Sequence, residues 1–172
     1  NNDFIRTTEK RHHESVKAIW NKLFESGDIY LSKYAGWYSV SDEAYYTEDE
    51  IVTLKGNKIA KSSGSPVSWL EEESFFFKLS AWQEKLLDHY KKNPNFVSPK
   101  SRNNEITQFV KSGLNDLSVS RTSFKWGIKV PNNENHIIYV WLDALTNYIS
   151  ALNFPDTNNK LYKNFWPANV HI

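Results

Sequence analysis

Cysteine and methionine are both absent from this chain of 172 residues. Without cysteine there is no disulfide framework and no thiolate metal cluster. Neither sign of charge prevails, since 21 Lys and Arg stand against 20 Asp and Glu for a net charge of +1. No bulk field for nucleic acid or a membrane surface follows from that balance. Apolar residues reach 40% but are interrupted by charges every few positions. No stretch approaches the roughly 18 uninterrupted apolar residues of a membrane span. The opening Asn1-Asn2-Asp3-Phe4 has neither the basic nor the apolar region of a signal peptide. These absences predict a soluble protein of a reducing compartment, the cytoplasm, with no membrane partner. A chain without Met at position 1 is also expected to start inside a longer gene product.

What is present in excess is aromatic: 7 Trp, 9 Tyr and 10 Phe, 15% of the chain. That suits a thick core, a stacking surface, or both. The length gives room for one medium domain or a domain plus a fragment, and a folded chain of this size buries roughly 70% of its unfolded surface. Val16, Ile19, Trp20, Leu23 and Phe24 recur at helical spacing and predict a helix over 11–26, stopped by Gly27. From Asp28 to Leu54 short β-prone runs alternate with turns, and Lys55-Gly56-Asn57-Lys58 is a turn candidate after them. Val67 to Leu79 reads as a strand, with Glu71-Glu72-Glu73 as its solvated edge. Ser80 with Gln83 has the pattern of a capping box that opens a further helix. Another helix is expected over 104–112 and an extended run over 117–120. A strand from His136 to Leu142 then passes directly into a helix from Asp143 to Leu152.

The strand-to-helix passage Tyr139-Val140-Trp141-Leu142-Asp143-Ala144 holds the best candidates for chemistry. In open α/β sheets, ligands sit beyond strand carboxyl ends and near the helices that follow. Trp141 and Tyr148 would wall an apolar slot with a polar tip, and small Ala144 would keep it open. The same residues also read as plain core with Asp143 as a helix cap, and spacing alone leaves both readings open. Arg121 follows a short β run, where an arginine can clamp phosphate or carboxylate in bidentate fashion or serve as a surface ion-pair partner. The histidines are His12, His13, His89, His136 and His171. His12-His13 lacks the i, i+4 spacing of a metal pair and reads as a solvated face.

Several strings carry a resemblance that composition does not. Phe4-Ile5-Arg6-Thr7-Thr8-Glu9, Gly27-Asp28-Ile29-Tyr30, Phe109-Val110-Lys111-Ser112-Gly113-Leu114, Asp116-Leu117-Ser118-Val119-Ser120-Arg121 and Tyr139-Val140-Trp141-Leu142-Asp143-Ala144 run in order along the chain. With them it resembles the bacterial methionyl-tRNA synthetases. The resemblance implies an α/β fold, part of a Rossmann-type nucleotide-binding catalytic domain with an inserted α+β connective domain. Residues 1–120 would be that insertion and 121–172 the start of the second catalytic half. The His-Ile-Gly-His-type and Lys-Met-Ser-Lys-Ser-type ATP motifs are not in this chain, which alone is expected to be inactive. The implied partners are L-methionine, ATP with Mg2+, and tRNA(Met).

By the same resemblance Trp141, Ala144 and Tyr148 shape a methionine pocket. Leu145 stands where some members have proline, and Arg121 lies near the reacting groups. A thioether suits aromatic walls, and a tyrosine hydroxyl adds a weak donor to sulfur. Many relatives carry a zinc knuckle of Cys pairs. Here Ser39, Asp42, Ala60 and Ser63 stand at or near those positions. No structural zinc is expected, and Trp37, Tyr38, Tyr45 and Tyr46 should hold the hairpins instead. The rival reading is a non-catalytic aromatic module for single-stranded nucleic acid or sugar.

Overall fold

The computed structural model describes residues 3–42, 44–54, 56–123 and 125–169, leaving aside the side chains of Tyr34 and Ala44. Lys55 of the expected turn and His171 lie outside these residues. By its contacts the chain divides into two units, residues 1–30 with 75–172, and residues 31–74.

The first unit opens with helix α1, Lys10–Glu25. Val16 and Trp20, one helical turn apart, are buried on its inner face with Leu23 beside them. Gly27 ends the helix at φ 73°, a left-handed conformation cheap for glycine. The chain then enters β1, Ile29–Ser39, one long strand where short runs were expected.

In the second unit β1 pairs antiparallel with β2, Ala44–Tyr46, in the register Trp37↔Tyr46 and Tyr38↔Tyr45. Strands β3, Ile51–Leu54, and β4, Asn57–Ala60, form a hairpin of register Ile51↔Ala60. Its small core is Ile51, Ala60 and Val67, covered by Trp37 and Tyr46. Strand β5, Ser68–Phe77, leads back. Glu71 and Glu73 are exposed, but Glu72 between them is buried and accepts a hydrogen bond from the Tyr45 hydroxyl. The period-two alternation of a strand puts the middle residue of the triad inside.

Beyond β5 the first unit resumes. Helix α2 spans Gln83–Lys92 and α3 spans Lys100–Lys111, starting a turn earlier than expected. The capping box at Ser80 and Gln83 does not form. Ser80 gives its backbone N–H and hydroxyl to Asp116, and Gln83 accepts from the Leu114 backbone N–H. Strand β6, Leu117–Ser118, pairs antiparallel with β5. Strands β7, Ser120–Arg121, β8, Lys129–Val130, and β9, Asn133–Ile138, form a sheet of order β7-β9-β8. The core of this unit unites Val16, Trp20, Ile29, Phe75, Val119, Ile128, Val130 and Ile138. Trp20 meets Phe75 edge-on with ring centroids 5.2 Å apart.

Helix α4 follows at Val140–Leu145, then α5 at Asn147–Ser150 and α6 at Lys160–Phe165. Strand β9 therefore ends at Ile138, short of Leu142. Trp141 stands in the first turn of α4 rather than at a strand end, because the Tyr139 carbonyl already accepts from the N–H groups of Leu142 and Asp143. The expected single helix is broken at Thr146, whose hydroxyl turns back onto the Leu142 carbonyl at 2.7 Å. Helices and strands mix throughout, as an α/β segment requires. Among the described residues, no helix is long and apolar enough to cross a membrane.

Candidate functional site

The site residues gather where β7 and β9 deliver the chain into α4. Pairing of Arg121 with Ile137 sets Arg121 on β7 beside β9, which ends one residue before Tyr139. Arg121 is buried, and its guanidinium lies 3.9 Å from the centroid of the Tyr139 ring. A cation over an aromatic face is attracted by the ring quadrupole, more so where water is excluded. Nη1 donates to Ser118 Oγ at 2.6 Å and to the Ser120 carbonyl at 2.8 Å. The plane of the guanidinium is thereby fixed. Its remaining N–H groups donate to no other described residue.

Two residues beyond Tyr139 the helical candidates begin. Trp141, Ala144, Leu145 and Tyr148 recur at three- and four-residue steps and fall on one side of α4–α5. Trp141 is 54% exposed, Leu145 60% and Tyr148 40%, with Ala144 half-buried between them. Among the described residues this stripe is open to solvent.

The inward side of α4–α5 is closed, with Leu142 against the main core and buried Thr146 and Ser150 beside it. His12, expected to be solvated, is wholly buried on the inner face of α1. Its Nε2 lies 2.8 Å from Asp143 Oδ1 and its Nδ1 3.0 Å from Ser150 Oγ. A carboxylate only accepts, so Nε2 carries the proton, while Ser150 Oγ, which also donates to the Asn147 carbonyl at 3.1 Å, is the partner of Nδ1. One turn along α1, buried Ser15 donates to the Phe154 carbonyl at 2.5 Å. The signal for His12 was in the sequence, because positions 12, 16 and 20 share one helical face. His136 is likewise buried, with Nδ1 3.0 Å from Ser120 Oγ. Asp143 also borders a cleft of about 220 Å³ with His13, Lys125, Trp126 and Gly127. A larger cleft of about 490 Å³ between α2 and α3 is lined by charges of both signs and lies away from these residues.

In the other unit, Asp42 centres a cluster of hydroxyls that includes Ser39 and Ser63, two of the positions compared above with a zinc knuckle. Its carboxylate accepts from the hydroxyls of Ser63 at 2.5 Å, Ser65 at 2.7 Å and Tyr46 at 2.8 Å. Its backbone N–H donates to Ser39 Oγ. Donors from Ser63, Ser65 and Tyr46 hold the Asp42 carboxyl down to about 2. Ala60 is fully buried in the apolar core. One carboxylate ringed by protonated hydroxyls does not fit a Zn2+ tetrahedron, which takes thiolate, imidazole and carboxylate ligands. Among the described residues, no group of three or more His, Cys, Asp or Glu is placed to hold a metal ion. The aromatic contacts expected here do form: the Tyr38 and Tyr45 rings lie 4.7 Å apart, and Trp37 meets Trp69 edge-on at 5.4 Å.

A strand end with a caged arginine, leading into a helix that shows an aromatic stripe, is a frame for small-molecule and nucleotide chemistry. The family model of the class I tRNA synthetases (M) matches residues 1–56 and 52–172, and the chain belongs to that family. Within it, the relatives are methionine–tRNA ligases. Those of Rhizobium meliloti and Rickettsia typhi are 57% and 59% identical over all of this chain, which spans 33% of either relative. The solved methionyl-tRNA synthetase of Mycobacterium tuberculosis bound by methionyl-adenylate is 50% identical, with a TM-score of 0.86 over 97% of this chain and 33% of its own. Its apo form gives a TM-score of 0.83, again at 50% identity, over 97% of this chain and 34% of its own.

Proposed function

We propose that this chain is the central third of a methionine–tRNA ligase, which activates L-methionine with ATP to methionyl-adenylate and transfers the methionyl group to tRNA(Met). The observation that carries the reading is the match along the whole chain to ligases of that specificity. Residues 1–120 would serve as the connective insertion and 121–172 as the start of the second catalytic half. Trp141, Ala144, Leu145 and Tyr148 form one wall of the methionine pocket. The indole and phenol rings offer polarizable surface to the thioether, and Ala144 leaves room for it. The Tyr148 hydroxyl adds a weak donor toward sulfur.

Arg121 acts electrostatically. Held over Tyr139, its guanidinium faces the negative charge that builds at the α-phosphate as the carboxylate of methionine attacks and pyrophosphate leaves. No proton need move for that role. Mg2+ belongs to the reading as the companion of ATP, screening its phosphates, and the described residues of this chain offer it no ligand set. The chain alone should be inactive, and the ligase that contains it is expected in the cytoplasm.

Amino-acid-dependent ATP–pyrophosphate exchange by the ligase that contains this chain tests the reading. Methionine alone should support exchange. Trp141→Ala should raise KM for methionine roughly 10–100-fold, the equivalent of about 1.5–3 kcal/mol of apolar contact. Arg121→Ala should lower kcat on the order of 10²–10³-fold with little change in that KM. Absence of exchange with every amino acid would sink the ligase reading in favour of an aromatic binding module.

A further inference from the structure

The geometry points to His12 as a positioning residue for the amino-acid site: its imidazole ties α4 and α5 to α1, and so sets where Trp141, Ala144 and Tyr148 stand. The inference rests on the pocket reading above and adds to it a residue from the opposite end of the chain.

Three observations carry it. First, α4 and α5 have six and four residues, too short to hold a helical conformation on their own. Second, neither helix has a fully buried apolar side chain, and Ser150 is the one buried residue of α5. Leu142 of α4 packs against the main core from a half-buried position, and the polar bonds of α4–α5 add to that anchor. Third, one imbalance of polar groups is resolved at a single ring. His12 reaches Asp143 in α4 with one nitrogen and Ser150 in α5 with the other, across the break at Thr146. Asp143 is the residue before Ala144, and Ser150 follows Tyr148 by two.

The histidine is the right side chain for this task. It is wholly buried, so its two bonds do not compete with water. Its ring nitrogens point apart at a fixed angle, whereas a flexible side chain would have to be ordered first. Ser15, one turn further along α1, holds the Phe154 carbonyl just beyond α5 and extends the same row. Nothing in this arrangement touches substrate. His12 acts through the helices.

The experiment compares His12→Ala, His12→Gln, His12→Asn and Ser150→Ala with the wild type, in the ligase that contains this chain. Exchange kinetics give KM for methionine, KM for ATP and kcat. Hydrogen exchange gives the opening of peptides over 140–152. His12→Ala should raise KM for methionine about tenfold or more, with KM for ATP within about twofold, because a displacement near 1 Å suffices for losses of up to 10²-fold. Its peptides over 140–152 should exchange faster. Gln can keep the donor to Asp143 and Asn a hydrogen bond with Ser150, so each should recover part of both effects. Ser150→Ala, a milder change, should move both readouts the same way.

A merely structural role would lower the active fraction, leave both KM values alone, and be rescued by neither amide. That result overturns the proposal, as does wild-type exchange over 140–152 in His12→Ala. If instead the wild type shows no methionine-dependent exchange, the ligase reading falls and takes the site with it. The hydrogen-exchange comparison then still decides whether His12 fastens α4–α5.

Discussion

Asp42 shows how one carboxylate can tie together residues that lie far apart in the chain. The three hydroxyls that converge on it come from Tyr46 nearby and from Ser63 and Ser65 more than 20 positions away. Because its folded pKa, about 2, lies below its ordinary 3.8, the ionised form is the one that folding favours. The stabilisation is therefore complete above about pH 4 and is lost as pH falls toward 2. Asp42→Ala should speed hydrogen exchange across 31–74 near neutrality and flatten its rise between pH 4 and 2. An unchanged acid profile would show that the cluster is ornamental. Gly127 makes a different demand. Its φ is 128°, and a Cβ there would stand 2.5 Å from Ile137 Cγ2, a buried side chain. Gly127→Ala should cost about 1–3 kcal/mol, read as a lowered midpoint in urea unfolding of the ligase.

At the scale of elements, length and packing order the stabilities. Helix α1 has 16 residues and a buried apolar face, whereas α4 and α5 share ten residues and leave Trp141, Leu145 and Tyr148 exposed. Amides of 140–150 should accordingly exchange faster than those of 10–25, by native-state hydrogen exchange. Equal protection would contradict the view that α4–α5 depends on fasteners. The same elements show what could be read in advance. The helix over 11–26 was legible to within a residue at each end, because Val16, Trp20 and Leu23 are periodic and Gly27 stops it. The strand over 136–142 was not, since Val140-Trp141-Leu142 is β-prone by composition yet is drawn into a helical turn by the Tyr139 carbonyl. Ser80 and Gln83 had the spacing of a capping box, but Asp116 and Leu114 offered better partners from far along the chain.

For the whole molecule, two units of unequal core size imply unequal sensitivity. The unit of residues 1–30 with 75–172 closes around Trp20, which is 1% exposed. The unit of 31–74 has a core of three small or medium side chains under two aromatic rings. Trp20→Ala should cost about 3–5 kcal/mol through the cavity it leaves, measured by thermal or urea unfolding of the ligase. A cost below about 1 kcal/mol would mean that Trp20 is not the centre of that core.

The sequence by itself determined the family, the order of the main elements, and the candidates Arg121, Trp141, Ala144, Leu145 and Tyr148. Residue strings and helical periodicity are properties of neighbours in the chain, so both survive without coordinates. It also carried the period that places His12 beside Val16 and Trp20, although the histidine's polarity disguised it. Only the tertiary structure decided what the polar groups do. It set Arg121 over Tyr139, joined His12 to Asp143 and Ser150, and brought Ser63 and Ser65 to Asp42. A hydrogen bond depends on a few tenths of an ångström and on direction, and between residues 138 apart neither is written in local pattern.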